Sequence, residues 1–182
     1  MVNLARYDKR GYSPGAGMAR RIAWYAVNAM LFDSWLWPVT TFKCGILRLF
    51  GATVGKGVVI KPRVNIKHPW LLVIGDHVWI GEGVWMDNLA KITLGSHVCL
   101  SQETYLLTGN HDYKDPAFGL IVKEITVEDG AWIGARAIVC PGVTVATQTV
   151  LTAGSVLQKS TTAKGIYQGN PAVFIRERKI AG

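Results

Sequence analysis

The sequence predicts a mainly β protein, a parallel β-helix in which every coil contains three short strands. Three observations lead to this prediction: an aliphatic residue recurs every six positions, a small or β-branched residue follows it four positions later in the C-terminal half, and the phase of the repeat survives insertions. Neither an α-helix nor a simple strand has a period of six. A stack of flat, three-sided coils does.

The repeat is regular from residue 127 to residue 161. Its aliphatic positions are Val127, Ile133, Val139, Val145, Leu151 and Leu157, and their small or β-branched partners are Ala131, Ala137, Val143, Thr149, Ser155 and Thr161. Three hexads close one coil of 18 residues, so each aliphatic side chain should point inward and stack on the one a coil away, at about 4.8 Å.

The same ladder continues upstream with insertions. Its positions are Val54, Ile60, Ile66, Ile74, Ile80, Met86, Leu94, Leu100 and Leu106. Two extra residues lie at one corner in each of the first two coils, and 15 extra residues separate residue 106 from residue 127. We therefore expect five coils between residue 54 and about residue 162, with an inserted loop at about 107–124.

Three parts of the chain are expected: a helical, aromatic-rich segment at 1–50, the β-helix at 51–162 and a short C-terminal extension at 163–182. Within the first part a helix is predicted over 18–32, broken before Pro38. No uninterrupted apolar run reaches the ~20 residues that span a bilayer, and no secretory signal is recognisable. Two roles for the segment stay open. It could cap the first coil or pack on a neighbouring subunit, or it could lie at a membrane surface with Arg20 and Arg21 near lipid headgroups.

Composition limits the functional classes. Of the 182 residues, 49% are hydrophobic and 18% are charged, which excludes a disordered chain. Three cysteines without paired spacing indicate reduced thiols in the cytoplasm. The net charge of +8 is concentrated in the two terminal parts, since residues 1–50 hold seven Lys or Arg against two Asp or Glu. No basic stripe follows the repeats, so nucleic acid is not expected as a partner, whereas an anionic small molecule or membrane surface is.

His111 is the candidate general base. It lies in the inserted loop, within the sequence TGNHDYKDP at 108–116. Long insertions in compact domains are usually functional, and histidine is the natural base near neutral pH. The alternative is that His111 only holds its own loop in place.

The other histidines do not predict a metal site. His77 and His97 are 20 residues apart and should occupy equivalent corners of adjacent coils, but Gly57 and Gly130 lie at the matching corners above and below. A closed metal site needs at least a third ligand. His68 lies at an inserted corner, where we expect it to be solvated.

Several motifs resemble those of a known family. The sequences IGA at 133–135, PGV at 141–143, AGS at 153–155 and GNPA at 169–172, with the histidine upstream, resemble the hexapeptide-repeat O-acetyltransferases. Within that family, GNHDY at 109–113 and DGAW at 129–132 are most similar to the colanic-acid-type polysaccharide acetyltransferases, relatives of the galactoside and maltose enzymes. The resemblance covers residues 50–178. It implies a left-handed coil, a homotrimer and active sites in clefts between subunits.

The resemblance also implies a reaction, the transfer of acetyl from acetyl-CoA to a sugar hydroxyl in surface polysaccharide biosynthesis, without a metal. In it His111 takes the hydroxyl proton and the backbone amide of Ala135 binds the developing oxyanion. The resemblance also implies that Asn88 corresponds to the asparagine that holds the acceptor in the galactoside enzymes. An inserted corner beside it interrupts the alignment with those relatives.

The cofactor residues implied by the family lie toward the C-terminus. Ala153 and Gly154 leave room for the pantetheine arm of acetyl-CoA, and Lys159 and Arg176 match positions that meet its phosphates. Where relatives have an arginine after Asn-Pro-x, this chain has Val173, so one phosphate contact is missing.

More than one candidate stays open for the acceptor and for the reaction class. The acceptor is expected to be a saccharide or a lipid-linked saccharide, with the protein in the cytoplasm and in peripheral contact with the inner face of the membrane. An N-acetyltransferase acting on an amino sugar, a zinc enzyme resembling γ-carbonic anhydrase and a non-catalytic β-helix are the other candidates.

Overall fold

A computed structural model describes residues 1–180. Helix α1 (Met18–Val27) continues through a π-helical turn (Asn28–Phe32), and helix α2 (Thr40–Leu49) follows. Short 3-10 turns lie at Leu4–Arg6 and Pro69–Leu71. The helix predicted over 18–32 and its end before Pro38 are thus confirmed.

The strands are short, as expected for hexad faces. In chain order they are β1 (Thr53–Val54), β2 (Val59–Ile60), β3 (Asn65–Ile66), β4 (Leu72–Ile74), β5 (Trp79–Ile80), β6 (Trp85–Asp87), β7 (Ile92–Leu94), β8 (Cys99–Leu100), β9 (Tyr105–Leu107), β10 (Gly109–His111), β11 (Leu120–Val122), β12 (Ile125–Val127), β13 (Trp132–Ile133), β14 (Ile138–Val139), β15 (Thr144–Val145), β16 (Val150–Leu151), β17 (Val156–Leu157), β18 (Gly165–Gly169) and β19 (Ala172–Glu177).

These strands form three parallel sheets, one for each side of a triangular coil. The first has the order β1-β4-β7-β12-β15, the second contains β2-β5-β8-β13-β16-β18 and the third has the order β3-β6-β9-β14-β17. Across the insertion, β12 pairs with β7 so that Val127 lies beside Leu94. The predicted hexapeptide-repeat β-helix is confirmed, including the survival of its phase through the inserted segment.

The core is the predicted ladder. All fifteen ladder residues are buried, and the most exposed of them, Val54, shows 9% of its surface. The small partners from Ala131 to Ser155 are also buried, at 2% exposure or less. At Gly134 a Cβ atom would lie 2.5 Å from the Ala153 backbone nitrogen, so stacking of consecutive coils requires glycine there.

The coil extends further than the aliphatic ladder predicts. After five complete coils, β18 adds a sixth layer to the second sheet, with Tyr167 beside Leu151. β19 then folds back antiparallel on β18. This layer does not follow the aliphatic pattern because an aromatic side chain, Tyr167, closes the core at this end.

The N-terminal helices cap the first coil. Trp24 Nε1 donates to the Ile66 carbonyl oxygen at 2.7 Å, Thr40 Oγ1 accepts from the Ile60 nitrogen at 3.2 Å, and Arg48 donates to the Val54 carbonyl oxygen at 2.8 Å. Each of the three exposed strand edges thereby gains a partner, which is the capping role expected for a solenoid end.

One side of this helical segment stays uncovered. Its exposed apolar side chains are Met18, Ile22, Tyr25, Met30, Trp35, Leu36, Trp37, Val39 and Phe42. No helix in residues 1–180 combines the length and apolarity needed to cross a bilayer.

The inserted segment is a β-hairpin rather than a loop. β10 and β11 pair antiparallel, with His111 opposite Leu120. Residues 1–17, which we call the N-terminal strap, lie along this hairpin: the Leu120 nitrogen donates to the Asp8 carbonyl oxygen at 3.0 Å, and the Asn3 nitrogen donates to the Pro116 carbonyl oxygen at 2.9 Å. The strap and the hairpin together build the surroundings of the histidine.

Candidate active site

His111 is held by contacts with two aromatic rings and one backbone carbonyl group. The ring stacks on Phe118 with centroids 4.4 Å apart and an interplanar angle of 7°, and Tyr7 of the strap packs against it at 5.6 Å. Nδ1 lies 3.1 Å from the Phe118 carbonyl oxygen. Since a carbonyl oxygen can only accept, this contact places a proton on Nδ1 and leaves Nε2 as an acceptor, the tautomer that a general base needs.

A cleft of about 490 Å³ lies beside His111. Its lining residues are Tyr7, Lys9, Tyr12, Pro14, Arg21, Lys67, Asp87, Leu89, Leu107, Gly109, Asn110, His111 and Leu120. The strap supplies four of them, so the sequence expectation missed one wall of the site. The sequence feature that could have indicated this wall is the opposite charge of the two segments: Arg10 of the strap pairs with Asp115 and Asp112 of the hairpin, at 2.7 and 3.2 Å.

The cleft carries an excess of positive charge. Lys9, Arg21 and Lys67 line it, and Asp87 is its only lining carboxylate among residues 1–180. Lys67 Nζ pairs with Asp87 Oδ1 at 2.7 Å. Within the described chain, neither Arg21 nor Lys9 has an acidic partner within 4.0 Å. Two cations are therefore free to meet an anionic ligand.

Tyr12 brings an unused hydrogen-bond donor to the same place. Its hydroxyl is buried and has no hydrogen-bond partner among residues 1–180. Burial raises the pKa of Tyr12 to about 12, against the opposing effect of nearby Arg21 and with a smaller contribution from Asp87. The phenol thus stays protonated at neutral pH.

Asn88 does not line this cleft. It is fully buried, its Oδ1 accepts from the His68 nitrogen at 2.8 Å, and its Nδ2 donates to the His68 carbonyl oxygen at 2.6 Å. The oxygen and the nitrogen of the Asn88 side-chain amide both bond to the backbone of His68, and these bonds join the inserted corners of two adjacent coils. Its neighbour Asp87, at the end of β6, is the residue that reaches the cleft.

The expectation of a solvated His68 is wrong. Its side chain is buried, stacks on Trp70 with centroids 5.0 Å apart, and contacts the Asn88 carbonyl oxygen through Nδ1 at 3.2 Å. Burial lowers the pKa of His68 below its usual range. The extra residues at this corner fold back over the coil, which is why the imidazole is covered.

The residues expected to bind the cofactor lie at another corner of the triangle. Ala135, Ala153 and Gly154 lie between the second and third sheets, and the Gly154 nitrogen donates to the Ala135 carbonyl oxygen at 2.8 Å. Gly154 has φ +69°, and a Cβ there would meet no atom within 4 Å, so space outside this corner is open. His111 lies at the corner between the third and first sheets, so a single chain does not bring these residues together.

Lys159 and Arg176 are both exposed. Lys159 follows β17 at the same corner as His111, two coils further along, and Arg176 lies on β19 beside Ile166. Neither has an acidic partner within 4.0 Å in the described residues, so both are available to phosphates.

His77 and His97 occupy equivalent corners as predicted. Their rings stack with centroids 5.2 Å apart and an interplanar angle of 16°. In residues 1–180, no group of three or more His, Cys, Asp or Glu side chains is arranged to hold a metal ion.

Comparison with known proteins identifies the family. No family model matches the chain. It is 42% identical over 155 residues to the putative colanic acid biosynthesis acetyltransferase WcaF of Escherichia coli (strain K12), covering 85% of each chain. The Galactoside O-acetyltransferase of Escherichia coli (strain K12) is 26% identical over 133 residues, covering 69% of this chain and 64% of that protein.

Solved structures share the fold. The hexapeptide-repeat-containing acetyltransferase VCA0836 from Vibrio cholerae O1 biovar eltor, complexed with acetyl coenzyme A, superposes with a TM-score of 0.81 at 26% identity, over 99% of this chain and 100% of that one. Galactoside acetyltransferase in complex with coenzyme A superposes with a TM-score of 0.78 at 22% identity, over 88% and 82% of the two chains. With its coil, histidine hairpin and this similarity, the chain belongs to the hexapeptide-repeat acetyltransferases of the colanic acid type.

Proposed function

We propose that the protein transfers an acetyl group from acetyl-CoA to a hydroxyl of a saccharide, in the biosynthesis of a surface polysaccharide. The observation that carries the proposal is His111, which lines a polar cleft while its Nδ1 is bound to the Phe118 carbonyl oxygen. A sugar hydroxyl is unactivated, so its attack on a thioester gains from a positioned base. The WcaF and galactoside enzymes give the reaction class by name.

The chemistry proceeds in one ternary complex. Nε2 of His111 accepts the proton of the hydroxyl as its oxygen attacks the thioester carbonyl carbon. The Ala135 backbone N–H donates to the oxyanion that forms, and such a fixed donor is worth about 10²–10³ in rate. When the intermediate collapses, the C–S bond breaks and the imidazolium returns its proton to the departing CoA thiolate. The products are the acetyl ester, CoA thiol and neutral histidine.

The active site requires more than one copy of the chain. His111 and the Ala135–Gly154 corner lie at different corners of one triangle, whereas a threefold assembly sets a corner of each triangle against its neighbour. We therefore propose a homotrimer in which one chain supplies His111 and the adjacent chain supplies Ala135, Ala153 and Gly154. Lys159 and Arg176 would hold the phosphates of CoA at the basic C-terminal end.

The proposed setting is the cytoplasmic side of a membrane. Acetyl-CoA is a cytoplasmic metabolite, and the uncovered apolar side of the N-terminal segment provides a surface for peripheral contact with lipid.

The decisive experiment is an acceptor screen with acetyl-CoA that follows release of the CoA thiol. For the best acceptor, His111→Ala should lower kcat by about 10²–10⁴, because general-base catalysis contributes that much. Tyr113→Phe, an exposed change on the same hairpin, is the matched control and should keep full activity. Full activity of His111→Ala, or faster acetylation of amino sugars than of hydroxyls, would refute the proposal.

A further inference from the structure

Strand β19, which carries Arg176, is held weakly by its own packing. It lies at the edge of its sheet and pairs with β18 alone. At least half of the surface of Val173, Phe174 and Ile175 is exposed. A strand with so little buried surface is expected to open locally unless another group holds it.

A β-bulge lies directly beside Arg176. Arg176 is opposite Ile166 on β18. The next pair in the ladder is Phe174 with Tyr167, so Ile175 is an extra residue on β19. A bulge bends its strand and changes the direction of neighbouring side chains, and its extra residue is left unpaired. The direction of the Arg176 side chain therefore depends on how the end of β19 is held.

Arg178 holds that end of the strand. Its Nη1 atom donates to the carbonyl oxygens of Gly130 and Gln148, at 3.0 and 3.2 Å. Its backbone nitrogen donates to the Lys164 carbonyl oxygen at 2.6 Å. Arg178 is also partly buried, whereas every other residue from 173 to 180 is exposed.

The three acceptors form a column along one corner of the β-helix. Gly130, Gln148 and Lys164 lie at equivalent positions of successive coils, between the first and second sheets, with φ of +67°, +57° and +59°. Within residues 1–180, no other group donates to their carbonyl oxygens. One arginine thus makes the hydrogen bonds that the corner leaves open, and it joins the end of β19 to three coils.

We propose that Arg178 is a positioning residue for the coenzyme: it anchors β19 so that the Arg176 guanidinium is held at the phosphates of CoA. This inference rests on the proposed function, which places Arg176 at those phosphates. Arg178 acts through Arg176, since its own Nη1 atom is engaged by the coil. A strand that is already fixed loses less conformational freedom when its arginine binds, and the coenzyme binds more tightly as a result.

The test is a double-mutant cycle on the full-length protein, with Kd for CoA measured by titration calorimetry. Arg178→Met removes the donors but keeps much of the side-chain length, and it should weaken CoA binding by about tenfold, within the range of coupling between neighbouring residues. Arg176→Ala should weaken binding at least as much. The double variant should bind CoA no more weakly than Arg176→Ala alone, because Arg178 then has nothing left to position.

Two further variants and one measurement separate anchoring from charge. Arg178→Lys keeps a donor of similar reach and should restore Kd to within about twofold of wild type. Lys179→Ala is the matched control, since it removes an adjacent exposed cation and leaves the contacts of Arg178 in place, and its Kd should not change. Amide hydrogen exchange of residues 173–177 should be about tenfold faster in Arg178→Met and unchanged in Arg176→Ala, which reports the anchor without CoA.

The outcomes distinguish this inference from the proposed function. If Arg178→Met weakens binding further in the Arg176→Ala background, Arg178 meets CoA directly and the positioning role is overturned. Unchanged CoA binding or unchanged exchange in Arg178→Met, with weakened binding in Arg176→Ala, would overturn this inference alone. Unchanged binding in Arg176→Ala would overturn the phosphate assignment of the proposed function, and this inference with it.

Discussion

The Phe118 carbonyl oxygen determines which nitrogen of His111 can act as a base. The carboxylate of Asp112, which follows His111 in the sequence, does not orient the imidazole because it pairs with Arg10 at the hairpin. The tautomer is therefore fixed by a backbone group, and an acid is not needed to orient the ring.

Tyr12→Phe is expected to separate stability from binding. Removing a buried hydroxyl without a partner should stabilise the fold by about 1 kcal/mol, and a change of that size raises Tm by about 2–4 °C in a domain of this length. If the hydroxyl donates to the acceptor, KM for the acceptor should rise severalfold while KM for acetyl-CoA stays constant. Thermal melts and initial rates measure both. A variant with unchanged Tm and unchanged acceptor KM would show that the hydroxyl has a partner in solution and no ligand.

Asn88→Ala is expected to destabilise the protein by about 2 kcal/mol, because the buried His68 N–H would lose its acceptor. Acceptor KM should change little. Asp87→Asn, one position away, should do the opposite and raise acceptor KM with little effect on stability, since Asp87 lines the cleft. Denaturant unfolding and steady-state kinetics of the two variants form the comparison. The reverse pattern would restore Asn88 as the acceptor residue.

The strap and the hairpin are the elements that assemble the candidate cleft beside His111. The hairpin alone is two short strands that leave the coil at one corner, and such pairs are marginally stable in isolation. Residues 1–17 pack along the hairpin, so that the coil, the hairpin and the strap together surround His111. The element that carries His111 thus contacts residues more than 100 positions away in the chain.

Arg10→Ala is expected to lower kcat by about three- to tenfold through misplacement of the hairpin, in line with the cost of small displacements of catalytic groups. Tm should change by little, because exposed ion pairs contribute about 0–1 kcal/mol. Lys114→Ala removes an exposed cation from the same hairpin connection without touching Asp112 or Asp115, and should leave kcat intact. A loss of Tm without a loss of kcat in Arg10→Ala would mean that the strap is structural only.

At the scale of the whole molecule, the separation of His111 from the corner that holds Ala135, Ala153 and Gly154 leads us to predict active sites shared between chains. His111→Ala and Ala153→Trp should each be inactive as homotrimers. In trimers formed by refolding a 1:1 mixture, a site is intact when a chain with His111 adjoins a chain with Ala153, which statistics give for about a quarter of the sites. Light scattering should report three chains per particle, and activity should return to about a quarter of the wild-type value. No recovery in mixed trimers would place the entire site within one chain.

The sequence by itself determined the β-helix of this protein. Each ladder residue packs on the equivalent residue one coil away, so the spacing along the chain is enough to predict the contact. The fifteen ladder positions and the insertion that carries His111 follow from spacing, and the helix at 18–32 follows from the aromatic-rich segment that ends before Pro38. Long-range packing decided the rest. Contacts between segments far apart in the chain produce the hairpin, the burial of His68, the hydrogen bonds of Asn88 and the approach of Tyr12 and Arg21 to the cleft. The six-residue period does not indicate which of two adjacent residues, Asp87 or Asn88, faces that cleft.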